Sequence, residues 1–243
     1  TRAEVREALD IIVKAWTDEI LEYNGKLIQV PPRRVVPKPI QKPHPPMWMA
    51  CTAPDSYQMA GDRGLGVLSF SLNYDGVIKS VGEYRKAFAH RTDQIGKFPN
   101  EAFASLIICH VAENKEDEAI GIDGARWFMH NVGELFKPLM AKNQLYSYEY
   151  LRTLMALDVD PNDIPDAQLK QHPMIVVGNP DEVIRKLEAF DKGGVDQVIC
   201  FKQAGRIPHK NIMNSLKLMA KHVLPHFNPH RRVALDELSA AAS

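Results

Sequence analysis

Long apolar runs are missing from this 243-residue sequence. None reaches the roughly 18 residues that a membrane-spanning helix needs. The N-terminal residues Thr1 to Glu7 are amphipathic, not a basic stretch followed by an apolar one, so they do not read as a signal peptide and the cytoplasm is the expected address. An excess of charge is missing too: 30 Lys and Arg stand against 30 Asp and Glu, for a formal net charge of zero. With no field to hold a polyanion, nucleic acid and an anionic membrane surface are excluded as partners. Cysteine is scarce. Cys51, Cys109 and Cys200 are odd in number and far apart, with no paired-cysteine motif or histidine ligand pattern beside them, so neither a disulfide framework nor a zinc site is indicated. No glycine-rich dinucleotide turn follows a strand, and no phosphate loop of the nucleotide triphosphatases or nucleophile elbow of the hydrolases occurs. What is present is the composition of an ordinary globular domain, 45% hydrophobic and 25% charged.

Val5, Ala8, Leu9, Ile12 and Trp16 recur at helical spacing, which predicts an amphipathic helix over 2–21. The turn signal Tyr23-Asn-Gly25 follows. Prolines then crowd between Pro31 and Pro46, so this stretch is expected to be an extended connector over the surface. From there strands are expected at 47–51, 66–71, 103–111 and 195–201, with helices at 54–63, 75–91, 115–130, 180–192 and 208–223. The region 131–172 reads as helix and loop, and 174–177 as a short apolar piece. This alternation, with strands that are near-continuous apolar runs, indicates an α/β fold with parallel strands covered on both faces. Four confident strands cannot close a barrel, so either the sheet is open or the chain is part of something larger.

The most informative stretch runs from Trp48 to Ala60, where a strand ends and a helix opens at Pro54. Thr52 is placed as its N-cap, and the hydroxyls of Thr52, Ser56 and Tyr57 gather near the helix's amide end. Such an arrangement suits a phosphate; on the local sequence alone an ordinary helix cap without a ligand is the simpler reading. Asn179 and Pro180 start another helix and need no ligand to explain them. Lys202, Gln203 and Arg206 follow a strand, where they either touch a substrate or form an exposed basic loop. His44, His209 and His226 read as structural, and Trp127, Phe128, Phe136, Tyr146, Tyr148 and Tyr150 as packing. Cys51 has no base nearby in sequence and reads as a packing residue.

Three segments together resemble the luciferase-like flavin-dependent monooxygenase family, which includes bacterial luciferase and alkanesulfonate monooxygenase. The first comprises Glu7 to Thr17, Tyr23-Asn-Gly25 and Val36 to Ala50. The second is Ala53-Pro-Asp-Ser56 with Ala60-Gly-Asp-Arg-Gly-Leu-Gly66. The third is Val177-Gly-Asn-Pro-Asp-Glu-Val183, Gly194-Val-Asp-Gln197, Gly205-Arg-Ile-Pro-His209 and His222-Val-Leu-Pro-His-Phe227. The resemblance implies an α/β fold of the (β/α)8 TIM-barrel type, of which the chain covers about the C-terminal half. Residues 1–227 are then a barrel domain incomplete at its N-terminus, and 228–243 a poorly ordered tail. It implies reduced FMN as cofactor, delivered by a separate NAD(P)H-dependent flavin reductase, with O2 used to oxygenate a small organic substrate. A subset of the family uses a 5-deazaflavin coenzyme for hydride transfer without oxygen, and a non-catalytic half-barrel is a third reading.

The family's phosphate-binding turn corresponds to Cys51, Thr52, Ala53, Ser56 and Tyr57. Where some members carry Arg and His on the seventh strand, this sequence has Leu106-Ile107-Ile108, and no catalytic residue is assigned. A half-barrel alone would leave sheet edges open, so this chain is expected to fold poorly or to associate, for instance as a homodimer, and to show no oxygenase turnover by itself.

Overall fold

The helical recurrence at the start of the sequence builds α1 (Arg2–Thr17), but the stripe that packs is Leu9, Val13 and Trp16, against Met47, Leu65 and Ile95. Val5 and Ile12 stay exposed. In this computed structural model, which describes residues 2–70, 74–141 and 160–228, α1 ends four residues before the expected 21. At this end its carbonyls take side-chain donors. Lys38 Nζ donates to Ala15 O at 2.7 Å and to Asp18 O at 2.6 Å, and Thr17 Oγ1 donates to Val13 O.

The chain then enters an antiparallel hairpin of β1 (Leu21–Asn24) and β2 (Gln29–Arg33), which the sequence reading had as turn and connector. Glu7 supports its tip: its carboxylate accepts from the backbone N–H groups of Lys26, Leu27 and Ile28 at 2.9, 3.1 and 2.8 Å. The proline-rich connector beyond is mostly exposed, as expected, with one buried residue, His44. Its ring stacks on Trp16 and Phe98; Nε2 accepts from Lys97 N at 2.9 Å, so Nδ1 is the nitrogen that donates to Pro45 O. The structural reading of His44 therefore holds.

The protein divides into two units, Thr1–Ser69 with Lys79–Ala104, and Phe70–Ile78 with Ser105–Ser243. In the first, β3 (Trp48–Cys51), α2 (Pro54–Asp62) and β4 (Gly66–Ser69) form a succession of strand, helix and parallel strand. Their register pairs Trp48 with Gly66 and Cys51 with Ser69. The helix α3 (Tyr74–Ala89) follows, its residues up to Ile78 belonging to the second unit.

The second unit is built on β5 (Phe103–Val111), whose first two residues belong to the first unit and whose side chains are almost all buried. The piece at 174–177 proves to be a strand, β6 (Ile175–Gly178), parallel to β5 with Ile108 opposite Ile175. The last strand, β7 (Gln197–Phe201), also pairs with β5. The sequence thus carries one more strand in this α/β part than was counted.

The helix α4 (Lys115–Ala141) runs on past 130, and α5 (Asp166–Gln171) lies ahead of β6. Next comes α6 (Pro180–Lys192), opened by a capping box in which Asn179 and Glu182 exchange bonds between side chain and backbone. The final helix is interrupted: α7 (His209–Leu218) passes through a wide turn at Met219–Val223 into α8 (Leu224–Phe227). Pro225, which lacks an N–H and crowds the carbonyl one turn back, accounts for the widening. Phe128 packs on Phe201 at 4.8 Å, as the packing reading required. Tyr146, Tyr148, Tyr150, the side chain of Phe136 and residues 229–243 lie outside the described residues.

Candidate functional site

At the end of β3 the chain turns through Thr52 and Ala53 into α2. Pro54 occupies the first helical turn, where an N–H is not needed. The N-cap is Ala53 and not Thr52: the strand ends at Cys51, and Ala53 takes the extended conformation (φ −80°, ψ 143°) that precedes a helix, with no side-chain cap bond. Ser56 N donates to Ala53 O at 2.9 Å and Ser56 Oγ to the same oxygen at 2.5 Å. Thr52, Ala53 and Ser56 are half-buried on this turn.

Cys51 and Tyr57 lie beneath it, both buried. The Tyr57 hydroxyl donates to Cys51 O at 3.2 Å and meets Ser69 Oγ at 2.8 Å, and its ring stacks on Phe103. Because Cys51 and Ser69 are register partners, this one phenol ties together the ends of both strands. Burial pushes the Cys51 thiol up to about 11, which suits a packing residue and leaves almost no thiolate near neutral pH. Thus the five residues share one turn, three at its surface and two supporting it from below.

The donor set fits a phosphate in kind: two hydroxyls at the amide end of a nine-residue helix. Ser56 would serve by exchanging its bond to Ala53 O for one to the anion.

In the other unit, the loop after β7 is only partly exposed. Gln203 and Arg206 face solvent, but Lys202 turns inward, its Nζ 3.2 Å from Ser215 Oγ and 3.5 Å from Cys109 Sγ. Gly205, at φ +61°, is a position where a side chain is strained, and an added Cβ would stand 3.0 Å from Trp127.

Sequence reasoning did not find His110, on the same strand as the apolar run 106–108. It is buried, and its Nε2 donates to Asp117 Oδ1 at 3.0 Å. Asp117 also accepts from Asn211 Nδ2 and from Glu113 N. Burial opposes its charge, but these bonds and His110 hold its carboxyl below the usual carboxylate range. The helix α4 comes close to His110 because position 121 is glycine; a Cβ there would lie 2.8 Å from the imidazole. Spacing gave no signal for this cluster, since Asn211 is remote in sequence. No group of three or more His, Cys, Asp or Glu side chains arranged to hold a metal ion occurs among the described residues, nor does a helix long and apolar enough to cross a membrane.

Comparison with known proteins places these elements in context. A family model described as luciferase-like monooxygenase matches residues 1–197. The oxygenase component of a flavin-dependent trigonelline monooxygenase from Acinetobacter baylyi is 26% identical over 92% of this chain, which spans 60% of that protein's length. A 5,10-methylenetetrahydromethanopterin reductase from Methanopyrus kandleri is 24% identical, again over 92% of this chain and 62% of its own length.

Among solved structures, a monooxygenase from Streptomyces bottropensis superposes with a TM-score of 0.65 at 23% identity, over 93% of this chain and 61% of that one. The oxygenating constituent of 3,6-diketocamphane monooxygenase from Pseudomonas putida, in complex with FMN, gives 0.60 at 20% identity, over 91% of this chain and 62% of that one. These structural likenesses establish a shared fold, in which the parallel α/β units described above recur.

Proposed function

The chain belongs to the luciferase-like monooxygenase family, and on that premise we propose that the protein acts as a flavin-dependent monooxygenase. In this reading it takes reduced FMN from an NAD(P)H-dependent flavin reductase and uses O2 to oxygenate a small organic substrate. The observation that carries the reading is the family match together with the turn from β3 into α2. Bound reduced FMN supplies the electrons that activate oxygen. Thr52 and Ser56 hold its phosphate, with the positive end of the α2 dipole behind them. Ala53 contributes its backbone, with only a methyl side chain beside it. Cys51 and Tyr57 fix the turn from below, the phenol through its bonds to Cys51 O and Ser69.

The test is a titration of FMN and of riboflavin, which lacks the phosphate, against the protein and its Thr52→Ala/Ser56→Ala variant. The two charge-assisted bonds, partly open to solvent, are worth about 2–4 kcal/mol together, or roughly thirtyfold or more in Kd. The variant is expected to lose affinity for FMN and keep that for riboflavin. FMN binding within a factor of about two of the unaltered protein refutes the phosphate site.

A second reading, a 5-deazaflavin-dependent oxidoreductase, is favoured by the reductase from Methanopyrus kandleri, whose solved structure, described as coenzyme F420 dependent, also superposes on this chain with a TM-score of 0.61. Tighter binding of the deazaflavin than of FMN, and hydride transfer with no oxygen consumed, would select it.

A further inference from the structure

Cysteine spacing in the sequence offered no pair, yet the pairing of β7 with β5 brings two of the three thiols together. Cys109 is on β5 and buried; Cys200 is on β7 and partly exposed. The two thiols are neighbours across the β5–β7 pairing, close enough for each to influence the other's ionisation. Lys202, two residues beyond Cys200 on the same side of the strand, brings its ammonium to 3.5 Å from Cys109 Sγ. The ammonium is held there by Ser215 Oγ, which also accepts from Val111 N at 2.8 Å and is itself fully buried. Cys200 and Lys202 line a cavity of about 780 Å³ walled by Leu187, Phe190, Met219 and Val223. A reagent therefore has room to reach Cys200, whereas Cys109 is buried and does not line the cavity.

We propose that Cys200 and Cys109 form a peroxide-reactive dithiol, in which Cys200 attacks a hydroperoxide entering this cavity and Cys109 resolves the product to a disulfide across β5 and β7. In the first step the Cys200 thiolate forms a bond to the peroxide's terminal oxygen, and the O–O bond breaks. Sulfur is oxidised to the sulfenic acid, and the peroxide is reduced to an alcohol or, from hydrogen peroxide, to water. In the second step Cys109 sulfur attacks Cys200 sulfur, the S–O bond breaks and a second water leaves with the Cys109 proton. Two thiols and one peroxide thus give one disulfide, with no other oxidant needed.

The electrostatics assign the two roles. The neighbouring Cys109 thiol and the Lys202 charge outweigh burial and bring the Cys200 thiol down to about 7. The Cys200 neighbour and burial push Cys109 well above its ordinary range. An attacking thiol needs to be part thiolate and accessible; a resolving thiol needs only proximity. The inference does not rest on the proposed monooxygenase activity, because the oxidant is any small hydroperoxide.

The experiment treats the protein with one to a few equivalents of hydrogen peroxide, quenches free thiols, and maps the unreduced tryptic digest by mass spectrometry. The expected product is one crosslink between peptides 98–115 and 193–202, lighter by two hydrogens and lost on reduction. In Cys109→Ser, dimedone is expected to trap a sulfenic acid at Cys200. In Lys202→Gln, alkylation of Cys200 by iodoacetamide at pH 7 should slow by about threefold or more, since less of the thiol is ionised. Peroxide that leaves Cys200 reduced, or that carries it to sulfinic acid with no crosslink in the unaltered protein, overturns the proposal. So does equal oxidation of Cys51, which would mark non-selective chemistry.

Discussion

Replacing Asp117 by Ala removes the acceptor shared by His110, Asn211 and the backbone N–H of Glu113. The three donors lie on β5, at the start of α7 and ahead of α4, so the carboxylate joins three elements of one unit. His110 is 1% exposed, and its Nε2–H would lose its acceptor with no water to replace it, at a cost near the top of the range of about 1–3 kcal/mol for a buried donor. Asn211 and Glu113 N are closer to solvent, where water recovers most of the loss. The sum is about 3 kcal/mol, or roughly 6–12 °C in Tm for a chain of this size.

Urea denaturation followed by circular dichroism measures it, with Asn211→Ala as the control that removes one outer donor and costs no more than about 1 kcal/mol. The pH dependence has a definite sign. The folded carboxyl sits below its unfolded value, so its contribution is complete above the unfolded pKa and disappears as pH falls through the folded one. Asp117→Ala should accordingly lack that part of the acid loss. A destabilisation under about 1 kcal/mol, or an unchanged acid profile, would show that the cluster does not bind the three elements together.

Burial, and then the Lys170 charge, lower Lys186 from its ordinary 10.5 to about 8. The unfolded chain binds more protons between those values, so stability should rise with pH there, and Lys186→Met should flatten the rise; parallel profiles would contradict it. Gly205→Ala, at positive φ and against Trp127, should cost about 1–2 kcal/mol by the same denaturation assay, and unchanged stability would mean the loop relaxes freely. Cys51 should resist iodoacetamide at neutral pH in the native protein while alkylating fully once unfolded; stoichiometric native labelling would refute its packing role.

Where local chemistry decides, the sequence was legible. The apolar run 103–111 and the Asn179 cap set the bounds of β5 and α6 as expected, because each signal lies within the element. The hairpin was not legible: β2 contains Pro31 and Pro32, and its tip is held by Glu7 from a helix some twenty residues earlier. The turn at 51–57 was found from proline, hydroxyls and the strand before it. That the Tyr57 phenol would turn under the turn to Ser69 depended on the β3–β4 register, which no local pattern states. For the same reason Cys109 and Cys200, read as isolated, meet only through the strand pairing, and Lys202, read as a loop cation, is drawn inward by Ser215.

The connector between β2 and β3 is tethered at Lys38, which closes the end of α1, and at His44, which is clasped between two aromatic rings. Between these tethers Ile40 is 97% exposed, and Gln41, Lys42 and Pro43 also face solvent. Doubling the length of a flexible loop adds only about 0.6 kcal/mol of closure cost. The span between the tethers is thus a splice point: residues gained or lost there leave both fastenings in place, and the path from α1 to the start of β3 keeps its geometry while the slack absorbs the change.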